Sequence, residues 1–409
     1  MSTAPLAIRP VTEQIFDNIL IPRPNGSDSL DKVAHYISEY LANTGALVSE
    51  HGFTATSHGF QLVWCTAIIM MAAYSVCLLK QRYLAAVLIP VVLAVLLLLE
   101  FEYLVSTVSA LSNTQERNII GTYPGSADGP TLILAAHYDT TTHFGDHFSW
   151  GRWGKLQGPA TAIAIGFPLL AMWLRSRGKS IPLPATVIAI ALAVAPFVAM
   201  FWFQSIGPLV RTPSIGAIDN GGSVTALLLL AKELEKRPVG TGSTVKLVFF
   251  AAEEERTLGS WAYAKSLLDE DRQHERGRSP SSLMVVNLES IGTSDALAYI
   301  PEDGFATRRF FSSQAMIDFV NSGAKKVYGR PLEARELPFG VLTDGRSFLA
   351  HGIEAITLRS FENDEFPRDL HSQHDSRDRL SSKGIERSVS LLHELVYLAD
   401  SARASIPNN

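Results

Sequence analysis

Two histidines and a group of carboxylates are the residues here whose types and spacing suit metal chemistry. His137 closes the run TLILAAH, Glu253 and Glu254 follow VKLVFFAA, and Glu289 follows LMVVNL. Each apolar run reads as a buried strand, so a histidine and three carboxylates reach one edge of one sheet. In open α/β sheets that carboxyl edge is where ligands gather. Asp219 lies in the glycine-flanked turn GAIDNGGS ahead of a helical pattern, and His371 lies in the polar stretch LHSQHDSRDRL. Imidazole nitrogen and carboxylate oxygen both suit Zn2+, and a carboxylate can bridge two ions. Water between two such ions loses a proton near neutral pH, and a nearby free carboxylate can pass that proton to a leaving amine. The adjacent Glu253 and Glu254 can divide those jobs, one binding metal and the other acting as base.

Taken singly, each fragment has a plainer explanation. An H-x-D after a strand is more often structural, and paired glutamates at a helix start usually form a solvated first turn that suits the helix dipole. His143, Asp146 and His147 are loosely spaced in an aromatic neighbourhood and read as surface residues. Glu100 and Glu102, just past an apolar run, read as interfacial. His35 and His351 have no nameable partners.

The elements that position these residues alternate between strand and helix. Short apolar runs at 131–136, 244–252, 283–288 and 354–358 predict buried strands, and helical patterns appear at 222–236, 258–269, 308–321 and 384–403. Leu30, Val33, Ile37 and Leu41 share one face of a helix over 28–44, with Gly45 as its stop. Residues 301–345, with several Gly and Pro, read as loop-rich. The order predicts an α/β three-layer sandwich around a mostly parallel central sheet.

Four apolar runs interrupt that pattern: 62–79, 83–99, 158–174 and 181–203. A bilayer core needs about 20 apolar residues, so they read as two transmembrane hairpins, about four membrane helices in all. The tips carry Lys80, Arg82, Arg175, Arg177 and Lys179, which the positive-inside rule places in the cytoplasm. The rest of the chain then lies on the extracytoplasmic side, although Arg152, Lys155 and Arg211 on that side dilute the signal. Phe144, Phe148, Trp150 and Trp153 suit an interfacial aromatic belt. The expected division is a discontinuous catalytic domain (1–58, 109–157 and 211–409) interrupted by hairpins at 59–108 and 158–210.

Composition agrees with this division. The 409 residues are 47% hydrophobic and only 18% charged, with a mean hydropathy of +0.14 concentrated in the four runs. A net charge of −5 without a basic block argues against nucleic acid as a partner. Cys65 and Cys77 both fall in the first apolar run and form no metal-type pair. The first 58 residues lack the pattern of a cleaved signal peptide.

The five fragments resemble, in order, the co-catalytic dizinc exopeptidase family that contains bacterial leucyl aminopeptidases and glutamate carboxypeptidase. The matching features are H-x-D in AAHYDTT, D-N in GAIDNGGS, E-E before a G-S helix start in AAEEERTLGS, N-L-E in VNLESIG and H-S-x-x-D in LHSQHDSRDRL. The segment PRPNGSDSLDKVAHYISEYLANTGALVSE resembles the family's opening helix and strand. The likeness covers about 20–58, 115–142 and 212–400.

The resemblance implies two Zn2+ per chain, one held by His137, Asp219 and Glu289, the other by Asp219 as bridge, Glu254 and His371. Glu253 becomes general base and acid, and Asp139 orients the His137 ring. His371 is preferred over His374 because only it places Asp375 and Asp378 correctly. Asp344, in LTDGRSF, matches a recurring structural turn. Three positions depart from the pattern: Glu289 replaces a frequent aspartate, Arg256 replaces a usual glycine, and Leu370 stands where a tyrosine is common. The implied activity is zinc-dependent aminopeptidase hydrolysis of a peptide or related amide, with hydrophobic or lipid-linked substrates and membrane lipids as possible partners. A glutaminyl-cyclase-like aminoacyltransferase with one zinc, and a non-catalytic membrane scaffold, are the alternatives.

Overall fold

Strands in this chain alternate between two buried faces, and that alternation sets the architecture. The computed structural model describes residues 8–126, 129–143, 147–236, 240, 242–273, 283–305, 307–338, 340–362 and 367–401. The first part runs α1 (Ile8–Ile19), α2 (Asp28–Ala42), β1 (Leu47–Thr56), α3 (Gly59–Leu79), α4 (Tyr83–Leu97), β2 (Asn113–Tyr123) and β3 (Thr131–His137). Next come α5 (His147–Lys155), α6 (Gln157–Ser176), α7 (Leu183–Phe201), the short α8 (Gly207–Val210), α9 (Gly222–Lys236), β4 (Thr244–Phe250) and α10 (Leu258–Gln273). The chain continues with β5 (Leu283–Glu289), β6 (Leu297–Ile300), β7 (Glu302–Phe305), β8 (Arg308–Phe311) and α11 (Gln314–Tyr328). It ends with β9 (Glu333–Ala334), α12 (Asp344–Ala350), β10 (Glu354–Ser360) and α13 (Ser382–Ser401).

Eight strands form one sheet in the order β1-β2-β4-β3-β5-β10-β6-β9. The central four, β4-β3-β5-β10, are parallel, whereas β1, β2 and β6 add antiparallel pairings outside them. Leu132, Leu134, Leu247, Phe249 and Leu288 pack on one face with residues of α2, α9 and α13. Ile133, Ala135, Val248, Phe250 and Val285 pack on the other with α10 and α12. Apolar side chains on both faces are what a helix-covered parallel sheet requires. The predicted helix with Leu30, Val33, Ile37 and Leu41 inward is α2, and Ser27 caps it by accepting from Leu30 N.

Between 301 and 345 the chain is more ordered than its Gly and Pro content suggests. Residues 308–311 form β8, paired with β7, so the helix expected over 308–321 starts later, as α11. Ser313 supplies the N-cap by accepting from Met316 N, and Gly329 closes the helix at φ 73°. Capping, not apolar periodicity, sets that boundary.

The four apolar runs form α3, α4, α6 and α7, which pack as a ring in the order α3-α4-α6-α7. All four are long and apolar enough to cross a membrane. Inside the ring Trp64, Met71, Tyr74 and Phe197 meet alanines 67, 86, 160, 164 and 193. Outside it, large side chains such as Ile69, Leu84 and Ile188 are 69%, 64% and 59% exposed. The four helices thus carry large apolar side chains on their outer faces as well as inside the ring.

Glu100 and Glu102, at the end of α4, are fully buried and not interfacial. Glu100 accepts from Thr107 N at 2.8 Å, Thr107 Oγ1 at 2.6 Å and Ser109 Oγ at 2.7 Å, and it forms a buried ion pair with Arg256. Glu102 accepts from Thr307 N at 2.8 Å, and its backbone oxygen accepts from Arg346 at 2.9 Å. These two acids fasten α4 to the loops around the sheet's carboxyl edge.

Candidate metal centre

Strand order brings the chemistry together. β4, β3 and β5 are adjacent and parallel, so His137, Glu289 and the Glu253-Glu254 turn all emerge at one edge. Asp219 arrives from the turn before α9. Gly216 starts that turn at φ 57°, and the Asp219–Asn220 peptide is cis. Asn220 Nδ2 donates to Leu288 O at 2.9 Å while its Oδ1 accepts from Ser290 N at 3.0 Å, tying the turn to the end of β5. A Cβ on Gly222 would fall 1.9 Å from Ile291 O, so only glycine lets α9 begin this close.

The Asp219 carboxylate faces both histidines. His137 Nε2 is 3.0 Å from its Oδ1, and His371 Nε2 is 3.0 Å from its Oδ2. Glu289 Oε1 stands 3.6 Å from His137 Nε2, and Glu254 Oε2 stands 3.1 Å from His371 Nε2. Two donor groups result, His137–Asp219–Glu289 and Asp219–Glu254–His371, with Asp219 in both. Glu253 belongs to neither; its Oε2 lies 3.8 Å from His137 Nε2.

Asp139 does more than sit behind His137, whose Nδ1 is 3.4 Å away. It also accepts from Glu253 N, Glu254 N and Asn25 Nδ2, each at 3.1 Å. Asp375 plays the matching part for the Asp219 turn, accepting from Ile218 N and from Asp219 N at 3.3 Å. His374 is exposed, whereas His371 is buried. His143 is buried against His371 and not at the surface, with the two Nδ1 atoms 3.0 Å apart and the rings edge to face. Asp146 lies outside the described residues, as do the side chains of Phe144, His147, Phe148 and Trp150.

The charge balance of this site calls for cations. Asp139, Asp219, Glu253, Glu254, Glu289 and Asp344 are gathered in one buried region. Burial opposes charge on His137, yet Glu253, Asp139, Asp219 and Glu289 hold its pKa well above the ordinary value. Burial likewise opposes charge on His371, but Glu254 and Asp219 push it up to about 10. Burial pushes Glu253 well above the usual carboxylate range, His137 opposes that, and Asp344, Glu289 and Glu254 reinforce it. Among the described residues, Glu254 Oε1 and Glu289 Oε2 are buried with no hydrogen-bond partner. Unpaired buried oxygens are costly, and these two belong to the donor groups, so the residues fit a pair of divalent ions.

Several contributors were not evident in the sequence. Arg23, fully buried, donates to the carbonyls of Ile19 at 2.8 Å, Ile215 at 2.6 Å and Gly216 at 3.0 Å, joining the N-terminal segment to the Asp219 turn. Its partners are backbone atoms, which carry no sequence signature. Arg359 pairs in register with Glu289 across β10 and β5, and burial lowers its pKa against the opposing pull of Glu289, Asp219 and Glu253. Arg256 has φ 73°, which explains why glycine suits that position; here the ion pair with Glu100 anchors an arginine instead. Asp219, Glu253, Glu254, Glu289, His371, Arg256, Arg359 and Leu370 line one cavity of about 470 Å³.

Residues 198–396 match Peptidase family M28. No curated protein matches the chain. Among solved structures, a Zn-dependent exopeptidase from Parabacteroides distasonis is similar at TM-score 0.53 and 15% identity, over 94% of this chain and 96% of that one. The zinc aminopeptidase BSAP from Bacillus subtilis is similar at TM-score 0.53 and 14% identity, covering 97% and 96%. A glutaminyl cyclase from an Acidobacteriales bacterium gives TM-score 0.54 and 14% identity, covering 98% and 100%. At such identities the likeness is one of fold, a mixed α/β fold with a largely parallel central sheet, and it spans both hydrolases and cyclases.

Proposed function

We propose that this chain is a membrane-anchored, zinc-dependent aminopeptidase. Its catalytic domain (1–58, 109–157 and 211–409) is interrupted by two membrane hairpins (59–108 and 158–210) and faces the extracytoplasmic side. The observation that carries this reading is the pair of donor groups sharing Asp219, with Glu253 beside them and outside both. His137, Asp219 and Glu289 would hold one Zn2+, and Asp219, Glu254 and His371 would hold the other. When bound, the ions supply a polarised scissile carbonyl and a water of lowered pKa.

Glu253 would take the proton of an attacking water as the water oxygen bonds to the carbonyl carbon. It then delivers the proton to the nitrogen as the C–N bond breaks, giving a carboxylic acid and an amine. Asp139 keeps Glu253 and Glu254 in register through their backbone N–H groups. Leu370 offers no hydroxyl; Arg359 lines the same cavity beside Glu289 and brings positive charge toward the developing oxyanion.

The cyclase alternative needs one zinc, and the presence of both donor groups weighs against it. A scaffold has no chemical need for Glu253. Replacing Glu253 with Gln is expected to lower kcat on a panel of aminoacyl amides by about 10²–10⁴-fold while zinc content stays the same. Equal rates for the two proteins would sink the mechanism.

A further inference from the structure

The cavity over the metal ligands has two unlike walls. One carries Asp219, Glu253, Glu254, Glu289 and His371; the other is made by the ends of the four apolar helices. Phe60 and Trp64 come from the start of α3, Leu97 from the end of α4 with Phe101 beyond it, Gly158 from the start of α6, and Met200 from the end of α7. Polar groups on that second wall are largely satisfied among themselves: Trp64 Nε1 donates to Gln204, and Arg256 is held by Glu100. Among the described residues, Gln157 Nε2 and Arg256 Nε are buried donors there without a partner. A polar substrate group pressed against the rest of this wall would lose its water without gaining a partner. The volume of about 470 Å³ lies in the ~300–1,000 Å³ range of pockets for drug-sized ligands, more than one amino-acid side chain fills.

We infer that the site takes amphiphilic amides, with an aminoacyl head at the metal ligands and a long alkyl chain, joined through the scissile amide, between the ends of α3, α4, α6 and α7. This rests on the hydrolase reading above and names its substrate class. Water hydrolyses the amide to the amino acid and a long-chain amine, so atoms balance without a further reactant. The outer faces of the same helices are apolar and exposed, which suits a substrate that partitions into lipid. Gln157 Nε2 is placed for a carbonyl oxygen near the head.

The test uses the full-length zinc-loaded protein in liposomes with leucine N-alkylamides from ethyl to dodecyl. Burial of each methylene supports a rise in kcat/KM of at most about fourfold, ending when the cavity is full. A Cβ at Gly158 meets nothing within 4 Å, so Gly158→Phe is expected to fold and to fill the chain's path. Its dodecyl-to-ethyl ratio should fall more than tenfold. In the metal-free protein, a leucine amide bearing a diazirine on its alkyl chain should label Phe60–Trp64 and Leu97–Phe101, and Gly158→Phe should abolish that labelling.

Hydrolysis independent of chain length, with labels confined to outward residues such as Leu84 and Ile188, would overturn the inference and leave the aminopeptidase reading standing. No hydrolysis at any length, with cavity labelling intact, would sink that reading while the apolar subsite stood.

Discussion

Asp139 makes both halves of the site depend on one carboxylate, because it lies behind His137 and also holds the backbone of Glu253 and Glu254. Its position in H-x-D was legible from the sequence, and the fold gathers it with the six other residues that strand ends and a resemblance single out: His137, Asp219, Glu253, Glu254, Glu289 and His371. What could not be read were partners distant in sequence or lying in the backbone. Arg23 binds carbonyls, and Glu100 sits 156 positions from Arg256. That pair carries a prediction at the scale of single residues. Arg256→Met leaves the Glu100 carboxylate buried without its cation, a situation that costs about 3–5 kcal/mol. The double variant Glu100→Gln/Arg256→Met removes the charge as well, so its thermal midpoint should recover much of the loss. Equal midpoints for the single and double variants would show that the pair contributes no such coupling.

Among the elements, those built on strong periodicity were legible to within a few residues: α2, α9, β3, β4, β5 and the four apolar helices. Their side chains are sorted by burial, and burial leaves a period in the sequence. The segment 301–345 was not legible, because β7 and β8 are too short to show a period and α11 is bounded by Ser313 and Gly329. The ends of the apolar helices were also opaque. Composition marks Glu100 and Glu102 as the point where an apolar run stops. Their tertiary role, clamping α4 to Arg256, Thr307 and Arg346, depends on loops that meet only in the folded chain. These clamps also place the ends of α3 and α4 beside the metal ligands, so the hairpins shape the cavity as well as extending the molecule.

Across the whole molecule, the hairpin tips and the candidate metal centre lie at opposite ends of the helix ring. Arg175 Nη1 donates to Gln81 Oε1 at 3.4 Å, bringing the two tips together, while the other ends of all four helices line the cavity. If the ring spans a bilayer, the positive tips face the cytoplasm and the site faces away. With Cys65 and Cys77 replaced by Ser, an impermeant maleimide should reach a Ser176→Cys tip only from the cytoplasmic face; labelling from the opposite face alone would invert the topology. Whether two ions share Asp219 is read from zinc stoichiometry. The purified protein should hold about two zinc ions per chain, falling to about one in His137→Ala and about one in His371→Ala. One zinc in the native protein, unchanged by His371→Ala, would contradict the account.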